Sequence, residues 1–224
     1  MDSEDLPTPQ PLNPVEARIV GCLIEKEMTL PDYYPLTLNA LVNACNQTSN
    51  REPMMNLPDS AVAAAIENLK QRGWVFQVTM AGARVQKFKH NIQGKYPRLE
   101  RPGMALLAVL LLRGIQTLGE LRQRSERLQP FPDLESVETE LRKLVDYPEG
   151  PLVVCLPAGS GRRVAAWAHL LSGEPNVQEP ASVVFTAAKP EEGADQAWKE
   201  RIEGDIETLK SEVARLKAQL GIEE

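Results

Sequence analysis

The chain has 224 residues, 42% hydrophobic and 25% charged, with a net charge of −6, a composition that suits about two small globular domains with appendages and excludes disorder throughout. No hydrophobic run approaches the roughly 18 residues of a membrane helix; the longest is ALLAVLLL at Ala105 to Leu112, and the acidic start MDSEDLPTPQP carries no signal-peptide pattern. A cytoplasmic, soluble protein with no membrane partner is the expectation.

After a flexible N-terminus, residues 1–13, a first unit spans 14–94. VEARIVGCLIEKEM reads as a helix with Ile19, Leu23 and Ile24 on its core face, and TLNALVNAC as a second helix. That second helix carries Leu38, Leu41, Val42 and Cys45 on one stripe and Asn39, Asn43, Asn46 and Asn50 on another. Asparagine competes for backbone hydrogen bonds and weakens helices, so four in line need either local compensation or a bound partner. The expected division gives Asn46 and Asn50 to the following loop and leaves Asn39 and Asn43 exposed. PDSAVAAAIENLKQRG forms a third helix with Val62, Ile66 and Leu69 inward, and WVFQVTM and RVQKFKH form two strands about the turn AGA.

A connector from Gln93 to Arg101 leads into a second unit, 95–171, that repeats the first. RPGMALLAVLLLRG, TLGELRQRS and PDLESVETELRKL are its helices, the last with Leu134, Val137, Leu141 and Leu144 inward, and PLVVCLP and RVAAWAH its strands. Arg84, Val85, Phe88 and His90 match Arg163, Val164, Trp167 and His169 in spacing; Thr37 matches Thr117, and Pro58-Asp59 matches Pro132-Asp133, with each Asp set to cap the third helix. Three helices and a hairpin make a winged helix. The predicted fold is mainly α with small β-hairpin wings: two tandem winged-helix domains of the helix-turn-helix type and a C-terminal coiled-coil helix.

Residues 172–195 read as a Pro- and Glu-rich linker. In the coiled-coil segment, 196–221, Ile202, Ile206, Leu209, Val213, Leu216 and Leu220 alternate spacings of four and three, with β-branched a and leucine d positions that favour a parallel homodimer. Packing of this helix on its own body is the competing reading.

The stretches EARIVGCLIEKE, DYYPLTLNALVNACNQTSNREP and AVLLLRGIQTLGELRQRSERLQPF resemble the YceH-like family, bacterial proteins of unassigned function with tandem winged-helix domains, over residues 12 to 173. The resemblance implies the fold and no activity or catalytic residue.

Enzyme chemistry has little support. Cys22, Cys45 and Cys155 form no CxxC pair, His90 and His169 make no local metal motif, and GxSxG, P-loop and GxGxxG motifs are absent; no catalytic residue, metal or cofactor is expected. The partner is left between double-stranded DNA and protein. Residues 1–94 carry 8 basic and 10 acidic side chains, 95–171 carry 11 and 9, and 172–224 carry 6 and 12, so the acidity belongs to the tail and the body is free to meet nucleic acid. Asn39, Asn43, Arg51, Arg84, Lys87 and Lys89 are the expected contacts of a DNA-binding, regulator-type dimer. Against that stand the third helices. One exposes the weak set Ser60, Ala63, Ala64, Glu67 and Asn68; the other exposes Glu135, Glu138 and Glu140, an acidic face suited to a protein partner and hence to a scaffold without DNA.

Overall fold

In a computed structural model the described residues are 10–79, 85–159 and 163–175. The elements in chain order are α1 (Pro14–Thr29), a 3-10 turn at Pro31–Tyr33, β1 (Leu36–Thr37), α2 (Leu38–Cys45), α3 (Asp59–Gln71), β2 (Val75–Val78), β3 (Lys87–His90) and α4 (Ile92–Lys95). There follow α5 (Arg101–Arg113), β4 (Gln116–Thr117), α6 (Leu118–Ser125), α7 (Leu134–Val145), β5 (Val153–Leu156) and β6 (Ala166–His169). About half of the described residues are helical, and the strands make two small antiparallel sheets, ordered β1-β3-β2 and β4-β6-β5. No helix among these residues is long and apolar enough to cross a membrane. The heptad positions Ile202, Ile206, Leu209, Val213, Leu216 and Leu220 lie outside the described residues, as does Arg84.

Local chemistry sets the helix starts. Asn13 accepts from the backbone N–H groups of Val15 and Glu16 at 3.0 and 2.9 Å, while the Glu16 carboxylate accepts from the Asn13 N–H at 2.9 Å, the reciprocal capping box. Thr117 makes the same reciprocal box with Glu120 at the start of α6, and Thr37 caps α2 by accepting from the Ala40 N–H alone, each from its strand end. Asp133 caps α7 through the Ser136 N–H at 2.8 Å. Asp59 does not do the same: it is the first residue of α3, whose cap is Pro58 without a side-chain bond.

The two sheets have equivalent registers. Leu36 faces Phe88 and Thr37 faces Lys87 in the first; Gln116 faces Trp167 and Thr117 faces Ala166 in the second. The two-residue strands β1 and β4 carry no periodic signal of their own, which is why a third strand in each sheet is absent from the sequence reading. His90 pairs with Val75 and His169 with Val153, so both histidines end an inner strand. Their chemistry differs. His90 Nδ1 accepts from the Ile92 N–H at 3.3 Å and Nε2 meets Glu27 at 2.8 Å; His169 Nδ1 has no partner among the described residues, and burial pushes its imidazole down to about 4.

The core is organised by α1 against α5. Ile19, Val20, Leu23 and Ile24 of α1 and Leu106, Leu107 and Leu110 of α5 are fully buried in one hydrophobic cluster that spans both sheets' helices. A Cβ at Gly21 would lie 2.9 Å from Leu112 Cγ and 3.0 Å from Leu111 Cβ, so the missing side chain lets the helices approach. The body also closes on itself, because the Leu12 N–H donates to the Leu171 carbonyl at 2.8 Å.

Most expected core positions are inside, including Val62, Ile66, Leu69, Val137, Leu141, Leu144, Cys22 and Cys45. Leu134 is a correction: it is the first residue of α7 and stands 47% exposed, because the helix begins before its apolar stripe reaches the core. Tyr33 is exposed, while its neighbour Tyr34 is half-buried and its hydroxyl accepts from the His90 N–H at 2.8 Å.

Gly21→Val should force α1 from α5 and lower the unfolding free energy by roughly 1–3 kcal/mol, the usual cost of overpacking. Urea denaturation reads this directly, and a variant as stable as the parent would mean that the approach at Gly21 is not a packing constraint.

Candidate nucleic-acid interface

The outward face of the first sheet is fixed by its register. Lys87 pairs with Thr37 and Val78, and Lys89 with Phe76, so these side chains alternate away from the buried Phe88 and His90. Lys89 is exposed and Lys87 half-buried. The Lys89 ammonium stands 6.0 Å from the centroid of the Phe76 ring, which is itself 46% exposed. One cation of this face therefore lies over an exposed aromatic ring, and the other stands two residues away along the same strand.

Thr37, opposite Lys87, is also the cap of α2. That connection carries the chain from the sheet into the asparagine helix, where Asn39 is the second residue. Asn39 and Asn43 are exposed, and the Asn43 amide donates to Asn39 Oδ1 at 3.0 Å. The pairing of Thr37 with Lys87 thus connects the strand that carries Lys87 and Lys89 to the first turn of α2, where Asn39 lies, with Asn43 one turn further on.

The other two asparagines bond groups distant in sequence, Asn46 from a half-buried position and Asn50 from an exposed one. Asn46 donates to the Leu57 carbonyl at 2.9 Å and accepts from the Leu57 N–H at 2.8 Å, a two-way clamp on the loop between α2 and α3. Asn50 adopts a left-handed backbone, φ 62°, which asparagine tolerates better than most side chains. It holds no backbone group with its side chain; its Oδ1 instead accepts from the Arg113 guanidinium at the end of α5. The expected bond to the loop backbone is thus made by Asn46 and not, among the described residues, by the Asn50 side chain, which ties the loop to the end of α5 instead.

Arg51 does not belong to an open surface, contrary to expectation. Its Nε donates to the Ala44 carbonyl at 2.9 Å, Nη1 to Glu25 at 3.1 Å and to the Asn50 carbonyl at 2.8 Å, and Nη2 to Glu25 at 2.6 Å and to Gln47 at 2.8 Å. All five N–H donors of the guanidinium are used, and none is left for a phosphate. Arg18, also buried, donates to the carbonyls of Cys45 and Pro53 at 3.0 and 2.6 Å. Together the two arginines satisfy carbonyls at the C-terminal end of α2 that no helical N–H can reach. Burial opposes the charge on Glu25, yet the Arg51 fork outweighs it and holds the carboxyl below its ordinary range. The signal for this pairing in the sequence is weak, since the partners are 26 residues apart.

The acidic face expected on α7 is also altered. Glu140 is buried and bonded to Lys143 at 2.9 Å, and Glu138 pairs with Arg142 at 2.7 Å, leaving Glu135 alone without an ion pair among the described residues of the helix. Intrahelical cations at three- and four-residue spacing thus neutralise most of the face that suggested a protein partner. In the second sheet the counterparts of Lys87 and Lys89 are Ala166 and Ala168, both buried.

Comparison with known proteins follows the same body. The family described as Protein of unknown function, DUF480, matches residues 12–162, within the stretch that resembles the YceH-like family. A UPF0502 protein of Vibrio atlanticus is 43% identical over 210 residues, covering 92% of this chain and 95% of its own length. A UPF0502 protein of Geobacter metallireducens is 48% identical over 183 residues, 82% of this chain and 80% of its own, and one of Geotalea uraniireducens is 50% identical over 166 residues, 74% of each.

Arg51→Leu should cost about 3 kcal/mol or more in urea denaturation, because it strands the Glu25 carboxylate in a buried site, whereas Lys87→Gln should stay within about 0.5 kcal/mol of the parent. Equal stability of the two variants would contradict the internal role of Arg51.

Proposed function

We propose that this chain, which belongs to the DUF480 family, is a cytoplasmic, non-enzymatic DNA-binding protein built from two tandem winged helices, 14–94 and 95–171. The observation that carries this reading is the outward pair Lys87 and Lys89 on β3, joined in register through Thr37 to α2, on which Asn39 and Asn43 are exposed one turn apart. Lysines on a hairpin contact phosphate, and exposed asparagine amides bond phosphate oxygens or adenine edges. Arg84 extends the same basic run in sequence.

The contact is asymmetric. Only the first unit carries cations on its inner strand, since the second has Ala166 and Ala168 there. α3 exposes Ser60, Ala64 and Glu67, a poor set for reading bases, so phosphate contacts dominate and sequence preference is weak. A second reading, a protein-binding scaffold, draws on Phe76 and Val85, 46% and 58% exposed on the same hairpin.

Fluorescence anisotropy with a labelled mixed-sequence duplex separates the two. Affinity that falls steeply with salt and is lost in a Lys87→Gln, Lys89→Gln variant is expected for DNA binding; no binding at low salt would leave the scaffold reading in its place. The protein is further proposed to be a homodimer through its heptad helix. Leu209→Glu with Leu216→Glu should then halve the mass found by light scattering, and an unchanged mass would refute the zipper.

A further inference from the structure

A cleft of about 310 Å³ lies where the C-terminal part of α1, the loop after α2, and α5 and α6 meet. Four cations line it: Lys26, Arg113, Arg124 and Arg127. The one acidic side chain in its wall is Glu25, both oxygens of which already accept from Arg51.

These cations are not equally occupied. Lys26 lies 3.2 Å from Glu25 and donates to Gln47 at 3.3 Å, and Arg124 lies 3.1 Å from Glu120 and donates to Gln116. Arg113 and Arg127 have no carboxylate within 4.0 Å among the described residues; Arg113 has only the Asn50 amide oxygen. Burial, then the charges of Arg124 and Arg51, disfavour the Arg113 guanidinium and lower its pKa. A helix C-terminus welcomes nearby cations, which accounts for Lys26, Arg113 and Arg124 near the ends of α1, α5 and α6. It does not account for Arg127, which stands beyond the last residue of α6, nor for convergence of all four on one concavity.

We propose that this cleft is a binding site for a small, multiply charged anion bearing phosphate or carboxylate groups. Guanidinium forks match both kinds of oxygen in bidentate geometry. The volume suits a compact metabolite-sized ligand, at the small end of ordinary ligand pockets, and the cleft is set apart from the Lys87 and Lys89 face of the first sheet. Arg113 and Arg127 supply the unpaired charge, and Lys26 and Arg124 frame it. Because Lys26 belongs to the first repeat and Arg127 to the second, a bound anion would contact both.

Isothermal titration of the full chain with sodium pyrophosphate, and separately with sodium citrate, at constant ionic strength tests the site. Saturable binding of at least one probe is expected, weakened about tenfold or more by Arg113→Gln and by Arg127→Gln and unchanged by Arg142→Gln on α7. Which probe binds distinguishes phosphate from carboxylate recognition. Arg127 is exposed, so its variant keeps the fold, which circular dichroism verifies. Absence of binding by both probes, or binding that ignores Arg113 and Arg127 or weakens equally in Arg142→Gln, would overturn the proposal.

Discussion

Most of the architecture follows from the approach of α1 to α5 at Gly21. A helix that packs a neighbour on one side and its own α2 and α3 on the other has almost no face left for solvent. Ten consecutive residues of α1, from Glu16 to Glu25, are buried, and three of them are charged. Burying charge costs free energy unless each group finds a partner. Glu16 therefore pairs with Arg72 at 2.8 Å, Arg18 takes two carbonyls, and Glu25 takes Arg51. The polar network is a consequence of the helix being central, and the loop after α2 is held because it supplies the partners.

That loop is where the two repeats depart from each other. The first needs the twelve positions from Asn46 to Leu57 to link α2 and α3, while the second links α6 and α7 more briefly, with Arg122 donating to the carbonyls of Phe131 and Pro132. The longer loop also reaches across to the second repeat, where the Glu52 N–H donates to the Leu112 carbonyl at 2.8 Å and Asn50 meets Arg113. The four asparagines that the sequence sets at helical spacing are thus divided by the end of α2 at Cys45: Asn39 and Asn43 stand exposed on the helix, while Asn46 at its cap and Asn50 in the loop bond groups beyond it.

α3 and α7 were legible in the sequence because one-sided burial imposes a spacing on their apolar residues, α1 and α5 because long apolar runs mark helices buried all round, and the matched positions Phe88 and Trp167 do occupy equivalent rungs. What escaped depended on contacts distant in sequence. β1 and β4 are two residues long and exist through pairing with β3 and β6. Arg51 sits beside asparagines and a glutamate in the sequence, an exposed composition, and only the fold brings Glu25 under it. Glu140 looked like one of three surface acids, but its position on α7 turns it toward α5, with Gly103 leaving room for its carboxylate at 3.0 Å. In the candidate interface, Lys87, Lys89, Asn39 and Asn43 were nameable from residue type and strand spacing alone, whereas Arg51 was not separable from them without tertiary contacts.

The bond between Leu12 and Leu171 bears on mechanics and topology. It joins the first and last segments of the described body, which therefore share one edge. A folded body whose first and last segments meet is a ring in all but covalent connection, and its linear order becomes a matter of where the ring happens to be cut. The natural cut leaves α1 nearest an end although it is the most enclosed helix. Tension applied through residues flanking this edge would load that single amide contact before reaching the packed helices, making the edge a mechanical fuse that parts while the interior stays closed.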